Sequence, residues 1–322
     1  MTEKRVEDIK VEQNEKDILD VIYRIIAWKG KDIKYERVIG GITNPNWKVT
    51  VEYKSYFVKI PGKGTESFID RNNAHTANLI AANENIGPAV CYFFEDTGVE
   101  VFEWLEGYRT LNFGDVLNKD IFYKIIDTIK KFHQHKEMKL SFTKTPFEQT
   151  FEMLKLAQDL KGYMPPEIDR MEWLAHKIEE SIMTAGIDYV PCHNDHWSAN
   201  YLYDEETGDL RLTDFEYATM SDACLDAADI SGTNYFHEAM DKEWIRYYYG
   251  EYDELLFARM KLYKMLLEIR WSMWSIVQAQ QSSVQDYDYY EWFGTKMTRL
   301  RQFWNDSRLD YWLKLVKGEC TF

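Results

Sequence analysis

The stretch PCHNDHWSANYLYDEETGDLRLTDFEYA, residues 191–218, decides how the rest of the chain is read. It opens on His193-Asn194-Asp195, places Asn200 five residues after Asp195, and closes on Asp214-Phe215 beyond a strand pair that turns at Glu206-Thr207-Gly208. Asp214 ends the β-type run LRLTDF, so the strand pair folds it back beside the segment that carries Asp195. Phosphoryl transfer needs a carboxylate beside the attacking hydroxyl and, across the γ-phosphate, oxygen ligands for magnesium. Asp195 can supply the first, and Asn200 with Asp214 the second. His-Asn-Asp alone would read as an acidic surface turn; the three elements in order point to the chemistry.

The Asp-to-Asn spacing equals that of H-R-D-x-x-x-x-N, which with a following D-F-G makes the catalytic set of protein kinases. Such a site also draws phosphate contacts from an earlier part of the chain. GGITN, residues 40–44, lies between two strand-like runs, where Gly40 and Gly41 permit close backbone approach and Thr43 and Asn44 can join the phosphate contacts. By itself it would serve equally as a hairpin turn. Lys59 stands in the apolar run YFVKI, where a lone ammonium needs a partner such as a nucleotide phosphate, or else snorkels from a strand edge.

Length and composition agree with a two-lobed globular chain. At 322 residues it exceeds one compact core, and a hydrophobic fraction of 45% with 16% aromatics excludes a largely disordered protein. The net charge of −15 is the wrong sign for general binding to nucleic acid or to an anionic membrane. It suits a small cationic substrate, although acidity also serves solubility. Cys91, Cys192, Cys224 and Cys320 are too scattered for a zinc site and read as free thiols. The charged start MTEKRVEDIKVEQNEKD and the lack of any 18-residue apolar run lead to the expectation of a soluble cytoplasmic protein.

The patterns expect an α+β architecture: an N-terminal antiparallel sheet lobe over residues 1–105 and a larger, mostly helical lobe over 106–322. Ile18, Val21, Ile22, Ile25 and Ile26 recur at helical spacing over residues 15–29. VEYKSYFVKI reads as a hairpin turning at Lys54-Ser55, SFIDRNNAHTANLIAANENIG as a helix ending at Gly87-Pro88, and two further strands join through Thr97-Gly98. From Phe113 the chain reads as helical apart from the strand pair already described. His133 and His135 end a Lys-rich helix, where a role at the helix terminus is expected rather than a metal site.

HNDHWSANYL, LTDFEYA and Asp222 and Asp226 in SDACLDAAD together resemble the choline/ethanolamine kinase family, relatives of the aminoglycoside phosphotransferases with a protein-kinase-like fold. GGITNPNWKV and YFVKIPG resemble its nucleotide loop and lysine strand, and the resemblance spans roughly residues 38–300. It implies ATP and Mg²⁺ as cofactors, Asp195 as catalytic base, Asn200 and Asp214 as metal ligands and Lys59 on the phosphates. It further implies a hinge at Phe102, Glu103 and Trp104 against which adenine hydrogen-bonds, Glu216 near the metals, and Asp226 bracing the catalytic loop. The chain departs from the pattern at two points. No Glu lies between Glu66 and Glu84 to pair with Lys59, and Thr233 stands where the family often has an acid near the substrate amine, leaving Asp229 as the nearest substitute.

RWSMWSIVQAQQSS resembles the family's late W-x-x-W helix, in which two indoles help to cage a quaternary ammonium. On their spacing alone Trp271 and Trp274 would read as core. With the upstream set they become candidate substrate contacts, because a trimethylammonium head has no N–H to donate and is attracted by ring faces. Tyr289 and Trp292 are alternative third members of the cage. The expected reaction is phosphorylation of choline. Ethanolamine, an aminoglycoside or another amino alcohol, and a non-catalytic nucleotide-binding protein, are the alternatives.

Overall fold

A computed structural model describes residues 6–38, 44–62, 69–137, 140, 144–161, 163–282 and 287–320. The chain opens with α1 (Val6–Arg24), then β1 (Ile33–Val38), β2 (Asn46–Val51) and β3 (Lys54–Lys59), followed by α2 (Arg71–Asn83), β4 (Val90–Phe94) and β5 (Val99–Glu103). The five strands form an antiparallel sheet in the order β1-β2-β3-β5-β4. Trp47, Val49, Val51 and Val58 bury one face of it against Ile18, Val21, Ile22 and Ile25.

Two details differ from the sequence expectation. The β2–β3 hairpin turns at Glu52-Tyr53, with Val51 opposite Lys54 and Asn46 opposite Lys59. Polarity favoured Lys54-Ser55, but Glu52 takes the left-handed backbone the turn requires and Tyr53 is fully exposed at its tip. Ile26 lies beyond the end of α1 and is exposed, so only the first four of the five periodic residues pack inward.

The chain continues through β6 (Tyr108–Thr110), α3 (Lys119–His133), α4 (Pro146–Asp159) and α5 (Ile168–Ala185). Next come β7 (Tyr189–Cys192), β8 (Tyr201–Asp204), β9 (Leu210–Leu212), β10 (Thr219–Asp222), α6 (Ala223–Thr233), α7 (Glu238–Tyr249), α8 (Glu254–Gln281), α9 (Tyr289–Trp304) and α10 (Leu309–Lys317). The expected pair β8–β9 gains β6 at its edge, and β7 pairs with β10 in a second small sheet. These short strands escape a period-based reading because they span only three or four residues. No helix among the described residues is long and apolar enough to cross a membrane.

Ala77, Ile80, Ala81 and Ile86, at and just after the C-terminal half of α2, pack into the core of the helical lobe rather than that of the sheet. The Leu212 N–H donates to the Ile86 carbonyl at 2.6 Å. Gly87 lets this approach happen: a Cβ there would lie 2.9 Å from the Ala81 Cβ and 3.1 Å from the Leu212 oxygen. The end of β9 therefore meets the segment after α2 in close backbone contact.

Candidate active site

The segment after β7 is held from beneath by one buried carboxylate. Asp226, in the first turn of α6, accepts the backbone N–H groups of His193 and Asn194 at 2.8 Å each. His133 Nε2 lies 3.0 Å from the same carboxylate and its Nδ1 lies 2.7 Å from the Tyr248 hydroxyl, so His133 is part of this brace. The expected helix-terminus role is thereby corrected, since its partners come from α6 and α7 rather than from α3's last carbonyls. His135 instead reaches Glu84. Asn194 adopts a left-handed backbone and donates its side-chain amide to the Tyr217 carbonyl at 2.9 Å, a conformation the surrounding bonds must maintain.

His193 fixes Asp195 from behind. Its Nε2–H donates to the Thr213 carbonyl at 2.9 Å, and its Nδ1 accepts the Asp195 N–H at 3.2 Å. A ring with one donor and one acceptor so engaged is neutral, and burial, joined by the neighbouring His196, lowers its pKa to about 3.

Asp195, Asn200, Asp214 and Glu216 border one cavity of about 150 Å³. Asn200 donates its amide to the Asp195 carbonyl at 2.9 Å and to its carboxylate at 3.3 Å, which turns the Asn200 Oδ1 outward as an acceptor. Asp214 takes a left-handed backbone at the end of the turn after β9 and presents its carboxylate across the cavity. An amide oxygen beside clustered carboxylates is a hard-oxygen donor set, and it fits Mg²⁺ better than a soft transition metal.

Glu216 answers the missing partner of Lys59. Lys59 Nζ contacts Asp214 and lies 3.0 Å from Glu216, whose same oxygen sits 3.2 Å from Arg71 and accepts from Asn44 at 2.9 Å. Burial works against the Lys59 charge, but the Asp214 and Glu216 carboxylates outweigh it and raise its pKa. Glu100, on β5 opposite Lys59 of β3, is occupied by His75 at 2.9 Å and Asn78 at 2.8 Å.

Gly40, Gly41 and Thr43 lie outside the described residues. Asn44 lies within them, borders the cavity, and accepts the Gly62 N–H at 2.8 Å. Phe102, Glu103 and Trp104 end β5 away from this cavity. The Glu103 and Trp104 N–H groups are already donated to the Ala89 and Ser55 carbonyls.

Trp271, Trp274 and Trp292 all border the cavity, with the first two edge-on at 5.9 Å between ring centres. Two of the sequence assignments change. Tyr289 is buried behind Trp274 at 5.9 Å, and Tyr287, two residues earlier, faces the cavity in its place. Asp229 does not border the cavity: one oxygen accepts the His196 N–H at 2.5 Å and the other the Trp271 indole N–H at 3.4 Å. Its carboxylate is thus turned to His196 and Trp271. Sequence reasoning also passed over Trp197, Tyr217 and Lys296. The first two flank Asp195 and Glu216 in the quoted stretch, and Lys296 follows Trp292 by one helical turn.

A sequence model described as Choline/ethanolamine kinase matches residues 35–248. Ethanolamine kinase 2 of Rattus norvegicus is 24% identical over 86% of this chain and 78% of its own length. Among solved structures, a choline/ethanolamine kinase family protein from Mesorhizobium loti superposes with a TM-score of 0.80 at 21% identity, covering 95% of this chain and 99% of its own. The choline kinase LicA from Streptococcus pneumoniae gives 0.72 at 24%, covering 89% and 99%. These likenesses confirm the α+β, protein-kinase-like fold expected from the sequence.

Proposed function

Because the chain belongs to the choline/ethanolamine kinase family, we propose that it moves the γ-phosphoryl group of ATP onto the hydroxyl of a small amino alcohol, choline in the first instance. One observation carries the reading: Asp195, Asn200 and Asp214 share a cavity with the indoles of Trp271, Trp274 and Trp292. The cavity thus combines a phosphoryl-transfer set with ring faces suited to a quaternary ammonium.

Asp195 takes the hydroxyl proton as the hydroxyl oxygen bonds to the γ-phosphorus. The bond from that phosphorus to the bridging oxygen breaks, and ADP leaves with the electron pair. Burial first, then the charges of Asp214 and Asp229, raise the Asp195 carboxyl above its ordinary range. Asn200, through Oδ1, and Asp214 would hold Mg²⁺, which when bound neutralises charge developing on the phosphate oxygens. Lys59 is a cation available to those oxygens, and Glu216 keeps it beside Asp214. The four scattered free thiols suit a cytoplasmic setting.

Asp195→Asn is expected to lower turnover with ATP and choline by about 10³-fold while nucleotide binding persists. Turnover within a few fold of the parent would remove Asp195 from its role. Ethanolamine is the second reading, favoured by the rat relative. Its ammonium donates hydrogen bonds and depends less on ring faces. Trp271→Ala should therefore raise KM for choline more than for ethanolamine, and an equal rise would count against the cage.

A further inference from the structure

Resting on the amino-alcohol kinase reading, we propose that Asp229 is a positioning residue that favours a quaternary over a primary ammonium, acting from behind the aromatic wall through Trp271. Its carboxylate is buried, at 2% exposure, and gives one oxygen to each of two N–H donors: the His196 backbone at 2.5 Å and the Trp271 indole at 3.4 Å. His196 directly follows Asp195, and its carbonyl accepts the side-chain amide of Asn234, just past α6, at 2.9 Å. One carboxylate therefore joins the segment that carries the proposed base to a ring that borders the cavity. Asparagine could not replace it, having one acceptor oxygen for two donors and no charge.

The geometry of α6 makes this action indirect. Asp229 and Thr233 stand one helical turn apart on the same side of α6, and it is Thr233 that borders the cavity. An acid at position 233 would meet the ammonium itself and accept its N–H groups, which ethanolamine has and choline lacks. From behind the indole, Asp229 accepts from neither. Its charge instead polarises the indole N–H and leaves the ring more negative, and a more negative face attracts a trimethylammonium more strongly. The same charge offsets cations already on the wall. The Arg270 guanidinium lies 4.8 Å from the centre of the Trp271 ring, and Lys296 Nζ 4.5 Å from that of Trp292. Both would repel a substrate ammonium. Burial lowers the pKa of each, and after Tyr217 for Arg270 and Glu268 for Lys296 the Asp229 charge opposes that fall. Asp229 is thus a counter-charge to both cations.

Two measurements on the full chain test the proposal. Calorimetry would follow tetramethylammonium binding to the parent, Asp229→Asn, Trp271→Phe, which keeps a ring but loses the N–H, and the double variant. Each single change should weaken binding by about ten-fold, and the double variant should bind no more weakly than the worse single one. Additive losses, or a parent that does not bind the probe, overturn the proposal. Turnover with ATP and Mg²⁺ would then separate positioning from mere structure. Asp229→Asn should raise KM for choline about ten-fold more than KM for ethanolamine, while kcat falls equally for both through the shared His196 bond. KM values that move together overturn it, since a structural lesion would spare their ratio. Should Asp229→Asn not fold, Trp271→Phe decides: a ten-fold or greater loss of tetramethylammonium affinity sustains the proposal, and anything less overturns it. ADP release with none of the alcohols would instead sink the kinase reading, and the binding cycle would still decide whether Asp229 acts through Trp271.

Discussion

Glu216 takes over from across the cleft a task that the sequence of α2 leaves undone. Its carboxylate holds Lys59, Arg71 and Asn44 together, so the last residue of the expected phosphate loop, the lysine of β3 and the first residue of α2 converge on one oxygen. Glu216→Gln keeps the volume and removes the charge, leaving Lys59 dependent on Asp214, which is also the proposed metal ligand. Loss of charge-assisted bonds worth about 1.5–3 kcal/mol should lower kcat/KM for ATP by roughly 10–100-fold. Steady-state kinetics would show it, and combining the change with Lys59→Ala should cost less than the sum of the two. His193 makes a different prediction. Its folded pKa of about 3 lies below the ordinary value of 6.5, so between them the unfolded chain binds a proton that the folded chain refuses. Stability contributed by His193 is thus full above pH 6.5 and falls as pH drops toward 3, by up to about 1.4 kcal/mol per pH unit. Urea midpoints at pH 7, 6 and 5 should fall less for His193→Gln than for the parent, and parallel lines would refute this.

Helix α8 is buried on nearly every face between Phe257 and Val277, yet it carries Arg259, Lys261, Lys264, Glu268 and Arg270 inside. It tolerates most of these charges because neighbouring elements supply counter-charges: Asp222 for Arg259, Asp241 of α7 for Lys264, and Arg299 of α9 for Glu268. Lys264 reaches Asp241 at 2.9 Å and the Ser231 hydroxyl of α6 at 2.6 Å, and burial still lowers its pKa to about 8. Asp241→Asn strands that ammonium beside Lys261 and should cost about 3–5 kcal/mol in urea unfolding. Adding Lys264→Met should restore much of it; a double variant no more stable than the single would refute the pairing. The same helix shows what the sequence could reveal. Trp271 and Trp274 were legible, because three-residue spacing places both on one side of a helix. The proposed catalytic set was legible because Asp195, Asn200 and Asp214 lie within one short stretch. Lys296 was not, because its place beside Trp292 depends on how α9 crosses α8. Neither was the exchange of Tyr289 for Tyr287, since a two-residue difference at a helix start decides which ring turns inward. Glu216 was legible as a neighbour of the proposed metal ligands, but its hold on Lys59 and Arg71 exists only once the lobes meet.

At the scale of the whole molecule, the buried apolar residues fall into two clusters whose membership does not change at one point of the chain. The sheet has its own core with α1, but Ala77, Ile80, Ala81 and Ile86 belong to the helical lobe. The seam is reinforced by the Ile86–Leu212 backbone bond and by the Arg71–Glu216 and Lys131–Glu84 pairs. A consequence is that α2 joins both lobes, its C-terminal half packing into the helical lobe's core while Arg71 in its first turn meets Glu216. Residues 1–105 produced alone would expose the Ile80 and Ile86 side chains, each worth about 1.5–3 kcal/mol when buried. That fragment should bind a hydrophobic dye and unfold without a sharp transition. Ile80→Lys separates the two situations by sign. In the fragment it replaces an exposed apolar side chain and should improve solubility. In the full chain it forces an ammonium into the core beneath α2 and should lower the unfolding free energy by several kcal/mol. Destabilisation of both forms alike would mean that Ile80 packs within the first 105 residues, and the seam would have to be redrawn.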